Sequence, residues 1–253
     1  MKKLIPSPVV ISSSLLIVLT VAGVRANAQA RMTDRVFEGL KGRVKAVKED
    51  RAKLVNKAGK LVEKDRSLCR SSSYDTSGNL TMEYVTATSG SNSRTYYRYE
   101  KNGDRKEETK LDDSPLGIPG QPALNLNITI TGTTRFKYDE EGRRIEEITS
   151  KADGAISWRG VYSYDSSGRR TGKDSYIKNQ LMLKTALSYD EQGNISELTE
   201  YKPDGSVTRK ESYSYEFDSA GNWIKRVTSV WVTKEGKSSF EPSEVTYRKI
   251  AYY

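Results

Sequence analysis

The sequence has no histidine and only one cysteine, Cys69, among its 253 residues. The absence of histidine excludes Ser-His-Asp and Cys-His nucleophiles, histidine general bases and every zinc site that needs a histidine ligand. One cysteine cannot form an internal disulfide, so strand pairing and packing have to stabilise the fold. We interpret Cys69 as a half-buried strand residue, because no histidine can activate its thiol. An intermolecular disulfide in an oxidising compartment stays open.

Long apolar runs are missing everywhere except in the first thirty residues. Two lysines precede an apolar stretch from Val9 to Val24. After this stretch come two small-x-small sequences, which end at Ala28 and Ala30. This pattern predicts a secretory signal peptide over residues 1–30. An uncleaved anchor is the alternative, but three serines interrupt the run, which is shorter than the ~20 apolar residues that span a bilayer. We therefore expect export to the periplasm or the cell exterior, with no membrane span after signal cleavage.

The rest of the chain, residues 31–253, is predicted to be a single repeat domain. An aromatic residue, an acid, two turn residues and a glycine recur six times, at Gly78, Gly103, Gly142, Gly168, Gly193 and Gly221. The intervals are 25, 39, 26, 25 and 28 residues. The long interval contains residues 111–130, whose prolines predict an inserted loop. A fixed period of this kind is typical of repeat architectures.

A second turn signal lies roughly midway between successive motif glycines, as at Asp153-Gly154 and Pro203-Asp204-Gly205. Turns this frequent, around short segments of Tyr, Thr, Val and Ile, predict consecutive hairpins. In each motif the acid is expected to accept backbone N–H groups and the glycine to supply the left-handed conformation. The predicted fold class is all-β, with repeated antiparallel β-hairpins forming an extended, twisted or curled meander sheet. With sixteen tyrosines and four phenylalanines, we expect no thick aliphatic core.

Aromatic pairs at spacing two precede four of the turns: Tyr97 and Tyr99, Phe136 and Tyr138, Tyr162 and Tyr164, and Tyr215 and Phe217. Residues two apart in a strand share one face. We expect the rings of successive hairpins to form a cross-strand ladder, worth roughly 0.2 to 1 kcal/mol per pair. Another row is expected from Trp223, Val227 and Trp231.

The segment 31–70 is predicted to be an N-terminal hairpin region. Its turn at Asn56–Lys60 is flanked by short apolar segments. We favour strands from about Gly42 onward, after a short helical turn. The alternative is a longer helix, since the apolar residues Val36, Leu40, Val44 and Val47 fit a helical stripe. Whether residues 31–42 are helical therefore stays open.

The C-terminal segment Val245–Tyr253 alternates between apolar and polar residues. It predicts a closing strand. Its expected partner is Trp223–Thr233, across the turn near Glu235-Gly236.

Charge gives a modest indication of partners. Loss of the three cations of the signal peptide lowers the formal net charge from +9 to +6. Lys and Arg alternate with Glu throughout, which is typical of solvated sheet surfaces, and we do not expect nucleic acid as a partner. Arg143-Arg144, Arg169-Arg170 and Lys41 to Lys48 are the segments that could bind an anionic polymer such as a polysaccharide.

No catalytic, metal-binding or cofactor-binding residue is assigned from the sequence. The adjacent acids are Glu107-Glu108, Asp112-Asp113, Glu140-Glu141 and Glu146-Glu147. Neighbours in a strand point to opposite faces, so no doublet forms a ready acid/base pair. Asp-x-x-Gly-Asn lacks the further ligands of a calcium loop. The glycosylation-like sequences at Asn79, Asn127 and Asn194 are given little weight, since turn and strand preferences produce two of them.

The tandem copies resemble the YD repeats of the RHS family from about Tyr74 to Trp231. The segments that carry the resemblance are Val161–Arg170 and Leu187–Asn194. It implies spiralling hairpin sheets and a small secreted bacterial protein. Because the repeats are few and neither a toxin domain nor a DPxGxxDP-like core is found, toxin encapsulation and autoproteolysis are not implied.

Two classes of function are consistent with these features. We favour a non-enzymatic envelope or secreted module that binds a glycan or protein through its tyrosine-lined face or its open strand edges, since exposed aromatic patches mark contact sites. The alternative is a carboxylate-dependent hydrolase acting on an extracellular polymer. It would need two facing carboxyl groups contributed by separate strands.

Overall fold

The computed structural model describes residues 31–86, 92–101, 103–112 and 128–253. In this part of the chain a four-residue helix precedes fourteen strands. The elements are α1 (Asp34–Phe37), β1 (Val44–Lys57), β2 (Lys60–Tyr74), β3 (Leu80–Thr86), β4 (Asn92–Tyr99), β5 (Arg105–Asp112), β6 (Ile128–Tyr138), β7 (Arg144–Lys151), β8 (Ile156–Tyr164), β9 (Arg170–Ile177), β10 (Gln180–Tyr189), β11 (Ile195–Tyr201), β12 (Val207–Phe217), β13 (Trp223–Lys234) and β14 (Lys237–Tyr252).

The strands form one closed antiparallel barrel in which each strand pairs with its neighbours in sequence and β14 also pairs with β1. Val47 lies opposite Ile250 across this last ladder. The prediction of an all-β chain of hairpins is confirmed, but the open meander sheet is wrong. Pairing of β1 with β14 satisfies the two edges that an open sheet would expose. The ladder joins residues about 200 positions apart, so no local pattern predicts it.

The C-terminal strand has the predicted partner and one more. Strand β14 pairs with β13 across the turn that precedes Lys237, and Trp231 lies opposite Phe240. The same strand then pairs with β1, and the Tyr253 N–H donates to the Arg43 carbonyl at 3.0 Å. The end of the chain is therefore held on both sides.

The predicted insertion at residues 111–130 begins and ends within strands. Strand β5 continues to Asp112 and β6 begins at Ile128. Residues 113–127 lie outside the described part of the chain, as does the predicted signal peptide at residues 1–30.

The six motif turns lie at the same end of the barrel, because they connect alternate strand pairs from β2–β3 to β12–β13. In the first, the Gly78 N–H donates to the Asp75 carbonyl at 3.0 Å, and the Asn79 N–H donates to Asp75 Oδ1 at 2.9 Å. The same side-chain bond recurs at Asp139, Asp165, Asp190 and Asp218. Gly78 has a φ of 95°, in the left-handed region. The predicted role of the glycine is confirmed at all six motifs, and that of the acid at the five motifs with aspartate.

Strand register determines which residues face the lumen. A register shift accompanies five of the six motif turns, as between Ser163 and Tyr164. At all six turns the aromatic residue lies opposite the residue two positions after the glycine, and both face inward; at the five bulged turns the register shifts one residue further along the strand. Tyr164, for example, lies opposite Arg170.

The predicted ladder of aromatic rings is wrong. The aromatic pairs lie on alternate strands, and the strands between them carry charged residues at the facing positions: Glu107 opposite Tyr97, Glu147 opposite Phe136, Lys173 opposite Tyr162 and Arg226 opposite Tyr215. The Arg105 guanidinium lies 4.6 Å from the Tyr97 ring centroid and 5.3 Å from that of Phe136. Cations stacked between rings therefore replace most ring-on-ring contacts.

The row predicted from Trp223, Val227 and Trp231 is also divided. Trp223 lies opposite Phe217 on the inner face, whereas the register shift that follows places Val227 opposite Ser214 on the outer face. The bulge changes which alternate residues face inward, and simple alternation cannot anticipate it.

Buried apolar side chains are few and concentrate at the end that carries the motif turns: Leu40, Val44, Val47, Tyr74 and Leu80 form one cluster. The outer wall carries ion pairs. Glu146 bonds Lys137 and Arg159 there, and Lys225 Nζ lies 2.7 Å from Glu216 Oε1.

Candidate functional site

Residues 31–41, here called the cap segment, cross the end of the barrel that carries the motif turns. The Arg35 N–H donates to the Gly78 carbonyl at 2.9 Å, and the Lys41 N–H donates to Asn222 Oδ1 at 2.7 Å. The segment thereby contacts the first and the last motif turns. Leu40 of the segment also belongs to the small apolar cluster at this end of the barrel.

Asp34 anchors the cap segment inside the barrel, with 4% of its surface exposed. Its Oδ2 accepts hydrogen bonds from the Leu80 N–H at 2.9 Å and from the Tyr99 hydroxyl, and its Oδ1 accepts one from Arg144 Nη2 at 2.8 Å. Arg105 Nη1 lies 3.8 Å away. Burial alone would raise the pKa of Asp34, but the Arg144 guanidinium and the hydrogen bonds hold it below its usual value.

Phe37 is the second anchor of the cap segment. Its ring meets the Tyr162 ring edge to face, with 5.0 Å between centroids. The guanidinium groups of Arg144 and Arg170 lie 4.5 Å and 4.6 Å from its centroid. An acid and an aromatic ring, three positions apart, therefore both contact the inner-wall arginines.

Neither anchor is predicted from the sequence, although two signals for them are present. Thr33 caps the short helix, its hydroxyl accepting from the Val36 N–H at 3.5 Å, and Ser or Thr before an acid is a helix-start pattern. Arginine also occupies the second position after three successive motif glycines, at Arg105, Arg144 and Arg170. That repetition marks an inward-facing set of cations.

An open cleft, here called the rim cleft, remains beside the cap segment at the fifth and sixth motif turns. Its volume is about 520 Å³, which lies in the size range of ligand sites. It is lined by Lys41, Asp190, Gln192, Asn194, Tyr213, Ser214, Tyr215, Phe217 and Gly221.

The aromatic wall of the rim cleft is fixed at one end and open at the other. The Tyr215 hydroxyl donates to the Ile195 carbonyl at 2.8 Å, and burial raises its pKa to about 12. The Tyr215 ring centroid lies 5.7 Å from that of Phe217 and 6.2 Å from that of Trp223. Phe217 is 42% exposed, so it presents a ring surface that Tyr215 and Trp223 support.

Polar groups line the other side of the rim cleft. Asn194 Nδ2 donates to Asp190 Oδ2 at 3.2 Å and to Asp190 Oδ1 at 3.3 Å, so the carboxylate holds the amide group at the cleft. The Lys41 side chain lies over Gly221. The cleft therefore combines ring surface with amide, carboxylate and ammonium groups, which can bind a ligand that has an apolar face and several hydroxyl groups.

The strand doublets of acids are split between the two faces, as predicted. Glu107 faces inward and bonds Arg105 at 3.0 Å and Thr134 at 2.5 Å. Glu146 bonds its partners on the outer wall, whereas Glu147 accepts from the inward Tyr162 hydroxyl at 2.6 Å. Of the other doublets, Glu140-Glu141 lies in a turn and Asp113 lies outside the described residues.

In each arginine pair proposed to bind an anionic polymer, the two side chains also point to different places. Arg143 bonds Asp139 of its own turn at 2.6 Å, and Arg169 bonds Asp165 in the same way at 2.7 Å. Arg144 and Arg170 face inward, as described above. Each pair therefore supplies one cation to its turn and one to the lumen.

Cys69 is half-buried, as predicted, and its Sγ donates to the Glu49 carbonyl at 3.3 Å. Burial raises the pKa of the thiol. Within the described ranges, no group of three or more acidic or cysteine side chains is placed to hold a metal ion. None of the helical residues described here forms a segment long and apolar enough to cross a membrane.

Comparison with known proteins adds little to this geometry. No family model matches the chain, and no curated protein matches it. Among solved structures, the chain is similar to a porin-like protein from Bacteroides uniformis ATCC 8492, with a TM-score of 0.47 and 10% identity over 83% of this chain and 99% of that chain. We draw no functional argument from a likeness at this level.

Proposed function

We propose that this chain is an exported, non-enzymatic module that binds a glycan in the rim cleft. The observation that carries the proposal is the exposed ring of Phe217, supported by Tyr215 and facing the polar groups of Asn194 and Asp190. A sugar has an apolar face of C–H groups and a rim of hydroxyls. Aromatic rings with adjacent hydrogen-bonding side chains complement both.

Export is part of the proposal and rests on the sequence. The apolar stretch at residues 1–30 has the form of a signal peptide, and the tandem Tyr-Asp repeats resemble those of secreted RHS-family proteins.

Closure of the barrel directs the proposal toward the rim. An open meander would offer strand edges for pairing with a partner, which is a common mode of peptide recognition. In the described strands both ends of the sheet are paired with each other. A ligand is therefore expected at the turns and the lumen.

The carboxylate-dependent hydrolase remains the alternative. It would need a general acid with a raised pKa facing a second carboxylate. The lumenal acids Glu49, Glu83 and Glu107 each bond an arginine, at 2.8, 2.6 and 3.0 Å. Each of these carboxylates is engaged in an ion pair, whereas a glycoside hydrolase needs two carboxyl groups that face each other across the substrate.

Replacing Phe217 with alanine is expected to weaken glycan binding by about tenfold or more, because the exposed ring supplies the stacking surface. Glycan arrays would identify a ligand, and calorimetry on soluble fragments would give the affinities. Trp231→Ala is the matched control, since this ring is 44% exposed but lies on the outer wall.

The two variants separate the outcomes. Equal losses in both would indicate a general effect on folding, and binding unchanged by Phe217→Ala would remove the rim cleft from consideration. If no glycan on the arrays binds and an envelope protein binds at the same cleft, the ligand is a protein and the glycan proposal is wrong.

A further inference from the structure

Among the described residues, several inner-wall cations form no ion pair with a carboxylate, and two of them, Arg170 and Lys173, lie over the same ring. Arg170 and Lys173 lie on β9, and the register shift beside Arg170 turns both toward the lumen. Their charged groups lie over the same ring, 5.6 Å and 6.0 Å from the Tyr162 centroid. By contrast, the inner-wall residues Arg144 and Arg248 bond carboxylates at 2.8 Å.

The acids nearest to Lys173 do not neutralise it by contact. Glu147 accepts from the Tyr162 hydroxyl at 2.6 Å and pairs with Arg144 at 3.6 Å. Glu200 and Glu38 act on Lys173 only through longer-range attraction. Burial lowers the pKa of Lys173, and Arg170 lowers it further against the attraction of these acids. An unpaired cation in this environment costs free energy that a bound anion would offset.

An indole surface adjoins this cation pair. Trp158 lies so close to the backbone of Gly160 that a Cβ added there would be 2.4 Å from the indole ring. The ring therefore lies against the wall of β8. Lys173 Nζ lies over the indole, 4.5 Å from the Trp158 centroid, so the ammonium group and the half-buried indole occupy one part of the inner wall.

We propose that Arg170, Lys173 and Trp158 form a lumenal site for an acidic saccharide of the uronic-acid class. The sugar carboxylate pairs with the two cations, and C–H groups of the sugar contact the part of the half-buried indole that Lys173 leaves open. Phe37 of the cap segment, 4.6 Å from Arg170, closes the site on the side of the motif turns. This site is separate from the rim cleft and does not depend on it.

The test uses the full exported protein and three probes: a galacturonic acid trisaccharide, its carboxyl-reduced neutral counterpart, and acetate or inorganic phosphate. Calorimetry and tryptophan fluorescence are expected to show that the acidic trisaccharide binds at least about tenfold more tightly than the neutral sugar. Equal binding of the neutral sugar would overturn the site. Phosphate or acetate binding as tightly as the acidic sugar would reduce it to a simple anion site and would also overturn the proposal.

Lys173→Met is expected to weaken binding of the acidic trisaccharide by at least about tenfold, while the unfolding midpoint stays the same or rises, because an unpaired buried charge is removed. A lower midpoint would show a stabilising role for Lys173 and contradict the proposal, as would unchanged binding. Lys184→Met is the matched control, since Lys184 lies opposite Asp174 on the outer face of β10 and is exposed.

Gly160→Ala provides a second variant that keeps both cations. The added Cβ displaces Trp158, so binding of the acidic sugar is expected to weaken while acetate binding does not change. Phe217→Ala is expected to leave this site unaffected, so failure here is distinguishable from failure at the rim cleft. Affinity for the acidic sugar is also expected to fall as the pH rises through the lowered pKa of Lys173, because only the ammonium form attracts the carboxylate.

Discussion

Replacing Asp34 with alanine is expected to lower the free energy of unfolding by about 3 to 5 kcal/mol, the usual cost of removing one partner of a buried ion pair. The substitution leaves the Arg144 guanidinium and the Leu80 N–H without their acceptor at 2.8 and 2.9 Å. It also detaches the cap segment from the barrel. Equilibrium unfolding in urea, monitored by tryptophan fluorescence, measures the change.

Asp153→Asn is the matched control for this substitution. Asp153 is exposed and accepts one bond, from the Ala155 N–H at 2.9 Å, which an asparagine oxygen can also accept. A change within about 0.5 kcal/mol is expected for such a surface site. If the two variants lost equal stability, Asp34 would not be the anchor described above.

Because of the Asp34 carboxylate, the free energy of unfolding is also expected to depend on pH in the acidic range. Its pKa is lowered in the folded state, so its contribution is fully present above the unfolded value of about 3.9 and is lost as the pH falls through the folded value. The wild type is therefore expected to lose stability below about pH 4 more steeply than the alanine variant. Unfolding midpoints at pH 7 and pH 3 test this, and parallel pH profiles would contradict it.

The motif glycines Gly78 and Gly193 are expected to respond differently to alanine. Both have left-handed φ values, 95° and 81°, so each substitution costs roughly 1 to 2 kcal/mol in conformation. At Gly78 the added Cβ would also lie 2.9 Å from Thr33 Oγ1 and 3.1 Å from Arg35 Cζ. Nothing lies within 4 Å at Gly193, so the difference between the two variants measures contact with the cap segment.

Limited trypsin digestion provides the readout for the cap segment. Gly78→Ala is expected to speed cleavage after Arg35, whereas Gly193→Ala leaves that rate unchanged. Urea unfolding of the same pair should show the larger loss at Gly78. Identical digestion and stability for both variants would mean that the cap segment does not depend on the first motif turn.

The sequence predicts the hairpins well because their determinants are local. Asp75 and Gly78 specify a turn through bonds within five residues of each other, and the six copies fix the strand order. Closure depends on β1 meeting β14, which involves no local signal. The prediction of a ring ladder was wrong because bulges, and strands with charged residues between the aromatic strands, decide which side chains face each other.

The candidate sites were less predictable for a related reason. Phe217 was identified as a ring of the aromatic face, but the rim cleft forms where Lys41 of the cap segment lies over Gly221, beside the fifth motif turn. Asp34 lies 65 residues before Tyr99 and 110 before Arg144. Contacts at such separations follow from the closed barrel, so they appear only once the fold is known.

The ladder between β1 and β14 also has a consequence for how the chain folds. Every other ladder joins strands that are consecutive in the chain, so those hairpins can form rapidly from nearby residues. The last ladder has to bring together residues about 200 positions apart, and long-range pairing of this kind is slow. We expect an open, nearly complete sheet to precede the barrel, with its final closure limiting the rate of folding.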